Sequence, residues 1–169
     1  RPDAEVLAER QNLLQQIAEC AATPSKFSEI FLGHDVFDYN KKYVDCQDRF
    51  IVYRSGRQVG KTMSTAVKAI HFAFFAPLML KTVKHECTIV IAAPTQNQAG
   101  IMYDRIRSLI MNNEFLKGYV VRNTQTELWV NFLDNTGMSK IITRATGEHG
   151  TTLRGYSPHC IIADECSFI

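Results

Sequence analysis

Residues 55–62 are Ser55, Gly56, Arg57, Gln58, Val59, Gly60, Lys61 and Thr62, and they match the phosphate-binding pattern G-x-x-x-x-G-K-S/T everywhere except at the first glycine, which is Ser55. Glycines in such a loop let backbone N–H groups turn inward around phosphate oxygens. The N-terminus of the helix that must follow adds about half a positive charge. Lys61 is placed to reach the terminal phosphates, and the Thr62 hydroxyl to ligate Mg²⁺. Much further along the chain, an apolar run ends in the adjacent carboxylates Asp164 and Glu165. A carboxylate at the C-terminal edge of a parallel strand can hold the water shell of Mg²⁺ beside a phosphate loop, which is the role expected of Asp164. Glu165, projecting differently, is placed to orient and deprotonate an attacking water. Together these residues predict a hydrolase of ATP with Mg²⁺; nothing resembles the guanine reader N-K-x-D, so ATP is favoured over GTP.

The elements that must position these groups are also written in the sequence. Residues 49–54, short, aromatic and β-branched, predict a strand running into the loop. A helix is expected from Lys61 to about Ala76, stopped by Pro77. Residues 87–93 are apolar on both faces, as a central parallel strand requires, and Pro94 ends them. Thr95 and Gln98 have capping-box spacing and open a helix whose apolar face is expected to carry Ile101, Met102, Ile106, Leu109 and Ile110. Two strands, residues 127–133 and 139–144, flank a turn at 134–137, and residues 159–163 form a last buried strand after a polar, glycine-rich loop. At the other end, Val6, Leu7, Leu13, Leu14, Ile17 and Ala21 fall on one side of an amphipathic helix that breaks near Pro24. Strands alternating with helices predict an α/β fold with a mostly parallel central sheet and flanking helices. His71, Phe72, Phe74 and Phe75 belong to its core.

Composition sets the outer bounds. A chain of 169 residues, 46% of them hydrophobic, supports one domain, divided here into an N-terminal helix at 1–25 and the nucleotide-binding domain at 26–169. Residues 1–50 carry 6 basic against 9 acidic side chains and the remainder 13 against 8, a lean toward an anionic ligand in the later part. The longest apolar stretch, residues 72–80, is too short for a membrane span and contains Pro77, so no membrane partner is expected. Five cysteines without a C-x-x-C pair argue against a disulfide framework or a zinc site, and the histidines are too scattered for a metal centre.

The wording of the motifs goes further. The loop from Gly56 to Thr62, with Arg57 and Gln58 before Gly60, Lys61 and Thr62, resembles the deviant Walker A of terminase large subunits, the motors that package viral DNA. Residues 93–99 (Ala-Pro-Thr-Gln-Asn-Gln-Ala) resemble the segment after that family's second core strand, and residues 153–158 (Leu-Arg-Gly-Tyr-Ser-Pro) its loop before Walker B. Residues 163–169 (Ala-Asp-Glu-Cys-Ser-Phe-Ile) are close to the Walker B wording of some tailed-phage members, so the resemblance covers about residues 37–169.

The resemblance implies a P-loop NTPase of the additional-strand, catalytic-glutamate class, acting in the host cytoplasm as a homo-oligomeric ring on the capsid, with double-stranded DNA, a portal protein and a small terminase subunit as partners. It implies that Arg57 contacts the γ-phosphate and that Arg154 completes a neighbouring subunit's site. Asn40, within Asp38, Tyr39 and Asn40, falls where the family has an adenine-reading glutamine; Gln47 is an alternative. The family's coupling strand and nuclease domain would lie beyond Ile169, so the chain is expected to be truncated after the Walker B strand, with a gap in its sheet and poor turnover. Two other readings stay open: a helicase-like or other phage P-loop ATPase, and a nucleotide-binding module without turnover.

Overall fold

Cys87, Ile89, Val90, Ile91, Ala92 and Ala93 are all buried, and this two-sided burial makes Glu86–Ala93 (β1) the strand around which the sheet is assembled. The computed structural model describes residues 4–146 and 155–165. On one side β1 pairs in parallel with Met138–Ala145 (β4), and on the other with Cys160–Ala163 (β5). Glu127–Asn131 (β3) runs antiparallel to β4, and Val120–Asn123 (β2) antiparallel to β3, giving the order β2-β3-β4-β1-β5. The sheet is therefore mixed rather than mostly parallel. A short connection between β3 and β4 permits only an antiparallel return, and Asp134 Oδ1 closes it by accepting from the Thr136 N–H (3.0 Å) and hydroxyl (2.7 Å). Gly137 in this turn is pressed onto the His85 backbone, where no side chain fits.

One face of the sheet is covered by Lys61–Met79 (α4) and Gln96–Met111 (α5). Ser139 and Thr143 share that face of β4: the Ser139 hydroxyl donates to the Ala73 carbonyl of α4 (2.7 Å), and Gln96 Nε2 of α5 donates to Thr143 Oγ1 (2.7 Å). Between them lies the core, with Ile70, Phe74, Met102, Tyr103, Ile106 and Ile110 facing Ile89, Ile91, Leu128, Val130 and Ile141. His71, Phe74 and Phe75 are buried as expected, and Phe72 packs against them half-buried. Ile101 does not join this face: it is 65% exposed, and Ala99 and Tyr103 take its place. The capping box at Thr95 and Gln98 forms as the spacing predicts.

Two expectations about backbone are corrected. Pro77 does not stop α4, which continues to Met79 with the proline inside it. Proline lacks the N–H that would bond the carbonyl four residues back, here that of Ala73. The Ser139 hydroxyl supplies the missing donor, so the helix can run on. Residues 49–54, expected as a strand, form none: Arg49 and Phe50 lie in a bend, and the segment has no sheet partner or backbone hydrogen bond among the described residues. They keep a strand's alternation, with Phe50 (83%) and Val52 (95%) exposed while Ile51 and Tyr53 are half-buried.

The N-terminal helix Ala4–Ala22 (α1) forms as predicted, but Val6, Leu7, Leu14 and Ile17 are between 38% and 57% exposed, so its apolar stripe lies off the core. Its C-terminal end is held by His71, whose buried Nε2 donates to the carbonyls of Cys20 (2.9 Å) and Ala21 (3.1 Å). Nδ1 is buried without a partner, and burial pushes the imidazole pKa down to about 4. Pro24–Phe27 (α2), a π-helical turn at Ser28–Leu32 and Asp38–Val44 (α3) carry the chain toward the loop at 55–62; Glu114–Lys117 (α5's short successor, α6) precedes β2. On the sheet's other face the indole of Trp129 in β3 lies between Arg122 of β2 and Lys140 of β4, at 4.8 and 4.7 Å from the ring centroid. Among the described residues no helix is long and apolar enough to cross a membrane.

Candidate functional site

Two left-handed residues curl the loop: Gln58 at φ 60° and Gly60 at φ 78°. Successive residues of opposite backbone hand aim N–H groups into a concavity, the arrangement that binds anions. Gly60 directly precedes α4, whose first N–H groups, those of Lys61, Thr62 and Met63, have no carbonyl before them in the helix. Ser64 is the first to close the ladder, donating to the Gly60 carbonyl at 2.9 Å. The helix dipole and these donors therefore open onto the same hollow.

That hollow is a cavity of about 660 Å³ lined by Ser55, Gly56, Arg57, Gln58, Gly60, Lys61 and Thr62 from the loop, with Glu165 opposite. Its size falls among small-molecule sites, which run about 300–1,000 Å³. Glu165 reaches it because β5 ends beside β1, where the Asp164 N–H donates to the Ala92 carbonyl (2.9 Å). A left-handed turn at Glu165 (φ 54°) then swings its carboxylate toward the loop. Glu165 Oε1 stands 3.9 Å from Lys61 Nζ. Asp164 does not line the cavity; its Oδ1 accepts the Glu165 N–H at 3.0 Å, which holds the turn.

The donor set fits a polyphosphate. Lys61, Arg57 and Arg105 bring cations to the wall, and Ser55 Oγ is buried there without a hydrogen-bond partner. The Thr62 hydroxyl and the Glu165 carboxylate are hard oxygen ligands of the kind Mg²⁺ takes. Among the described residues no group of three or more His, Cys, Asp or Glu side chains converges as a metal centre.

Asn40 and the loop residue Val59 are not on the cavity wall: Asn40 Nδ2 donates to the Val59 carbonyl at 2.8 Å. Arg154 lies outside the described residues. Sequence reasoning missed His34, Val36, Phe37, Met63, Ser64 and Arg105, which complete the wall. Phe37 is 55% exposed and stacks on Tyr39 at 5.3 Å, a flat apolar surface at the mouth. Its place one residue before Asp38 was the only hint; Arg105 sits on the polar side of α5, where periodicity says nothing about a ligand.

Behind the wall, Tyr43 of α3 stacks on Tyr53 at 4.0 Å and pairs with the Thr65 hydroxyl of α4 at 3.0 Å. Burial raises the Tyr43 pKa, keeping its hydroxyl protonated. Lys68 Nζ donates to the carbonyls of Val44 and Cys46 and lies over the Tyr43 ring, and burial lowers its pKa. These contacts fix α3 against α4 and the loop between them.

No protein-family profile matches the chain, and no curated protein matches it in sequence. Among solved structures it superposes on the large terminase ATPase domain of Thermus phage P74-26, with a TM-score of 0.66 and 24% sequence identity over 87% of this chain. The superposed part spans 60% of that chain's length. The chain has the fold of that ATPase domain: an α/β core with a mixed five-stranded sheet and flanking helices.

Proposed function

We propose that the chain is the ATP-hydrolysing motor part, residues 26–169, of a viral genome-packaging terminase large subunit. One observation carries this: the glycine-bearing loop 55–62 and the Glu165 carboxylate meet across a single cavity on the fold of a large terminase ATPase domain. ATP would lay its phosphates against the N–H groups of the loop and the first turn of α4. Lys61 and Arg57 neutralise the terminal phosphate, and Glu165 orients and takes a proton from the attacking water. Mg²⁺, held by the Thr62 hydroxyl and through water by Asp164, would screen the charge on the phosphate oxygens. Phe37 offers its face to the base.

The larger assignments follow from the motif wording and the shared fold. They are a homo-oligomeric ring on the capsid, Arg154 acting in a neighbouring site, double-stranded DNA as the translocated partner, and a portal and small terminase subunit beside it.

Binding of a fluorescent ATP analogue with Mg²⁺ tests the site. Lys61→Ala should weaken it by about tenfold or more, as expected when a charge-assisted contact is lost. Glu165→Gln should keep binding while removing whatever hydrolysis the parent shows. Unchanged binding in Lys61→Ala, or undiminished turnover in Glu165→Gln, would reject the assignment.

A further inference from the structure

We infer that Asn40 is a positioning residue that sets the phosphate loop, and not a reader of the nucleobase; this rests on the reading of residues 55–62 as a triphosphate cradle. Asn40 is 1% exposed, and both ends of its amide are committed inside the protein. Nδ2 donates to the Val59 carbonyl at 2.8 Å, and Oδ1 accepts from the Tyr53 hydroxyl. A carbonyl can only accept, so the Val59 contact fixes which way the amide faces. The second N–H and the second lone pair belong to a side chain that is buried and off the cavity wall, where they have no base edge to meet.

The two partners matter because of where they sit. Tyr53 lies just before the loop and Val59 inside it, so one side chain ties the limb entering the loop to the limb leaving it. The peptide between Val59 and Gly60 is planar and trans, so its carbonyl and its N–H point in opposite directions. Holding the Val59 carbonyl toward Asn40 turns the Gly60 N–H away from it, on the side of the loop where Gly60 lines the cavity. Clearance is small: a Cβ at Gly60 would come within 3.3 Å of Asn40 Nδ2 and 3.5 Å of the Phe37 ring. From behind, Tyr53 is braced by its stack on Tyr43, itself bonded to Thr65 of α4.

A positioning role and a base-reading role differ in what they do to ligands that lack adenine. Dissociation constants with Mg²⁺ are to be measured for ATP, GTP and inorganic tripolyphosphate on the parent, Asn40→Ala, Asn40→Asp, Tyr53→Phe and Lys61→Ala, well below each protein's unfolding temperature. Asn40→Ala should weaken all three ligands by a common factor of about ten. Asn40→Asp keeps the acceptor for Tyr53 and loses the donor to Val59, so it should lose at least as much. Tyr53→Phe removes one hydroxyl and should give a smaller loss, again equal for the three, which keeps the test open if the Asn40 variants fold poorly. A loss confined to ATP, or a lowered melting temperature with all three affinities unchanged, overturns the inference. Lys61→Ala separates this from the larger reading: weak tripolyphosphate binding there with normal binding in Asn40→Ala sinks the Asn40 role alone. Tripolyphosphate binding unaffected by Lys61→Ala sinks the cradle and the Asn40 role together.

Discussion

His71 gives the residue scale its clearest energetic consequence. Its pKa is held at about 4, below the usual 6.5, because charging the imidazole would strand a cation among buried groups. The unfolded chain takes up a proton near pH 6.5 while the folded chain does not until about pH 4. Stability from this residue is therefore complete above pH 6.5 and declines as the pH falls from there toward 4, by about 3 kcal/mol in total at about 1.4 kcal/mol per pKa unit. His71→Gln keeps a donor for the Cys20 and Ala21 carbonyls but does not titrate. Chemical denaturation at pH 7.5 and pH 5 should show a markedly smaller loss in that variant, and an identical loss in both proteins would refute the assignment. What the sequence revealed at this scale followed from locality. The loop 55–62 was legible because its chemistry needs consecutive backbone positions, and Glu165 because it ends an apolar strand. Phe37 and Arg105 were not, and Asn40 was singled out for a base contact and not for its bonds to Val59 and Tyr53, since such contacts depend on elements remote in the chain, and a helix's polar side looks the same whether it faces water or a ligand.

Among the elements, α4 shows how a local rule yields to a tertiary contact. Pro77 should end the helix, yet the Ala73 carbonyl it leaves without a partner is met by Ser139 from the neighbouring strand. Ser139→Ala should then cost about 1–3 kcal/mol, the penalty for a buried acceptor left unsatisfied. Adding Pro77→Ala restores a backbone N–H within reach of that carbonyl and should recover much of the loss. Denaturant unfolding of the two single variants and the double variant forms a cycle, and strictly additive effects would show that the two residues do not serve the same carbonyl. Capping at Thr95 and Gln98 was readable because the whole device lies within four residues. The fate of residues 49–54 was not, because a strand exists only against another strand and alternation alone names no neighbour.

For the whole molecule, the α/β alternation was plain in the sequence, and the turn at 134–137 already announced the antiparallel pair β3–β4 that makes the sheet mixed; β2, a four-residue strand, was too short to announce itself. β2, β3 and β4 form an antiparallel ladder on the far side of β1 from Glu165, and the chain's single tryptophan sits in its middle strand. With Arg122 and Lys140 against its ring, the Trp129 indole carries an optical signature of that ladder being paired. Melting the ladder removes both cations and brings water to the ring, so fluorescence excited at the indole band should shift to longer wavelength on unfolding. Filling the cavity at 55–62 should leave the emission unchanged, because Trp129 is not part of its wall. A steady-state titration with a non-absorbing ligand such as tripolyphosphate checks this, and a ligand-dependent spectral shift would mean that the two halves of the sheet do not respond independently.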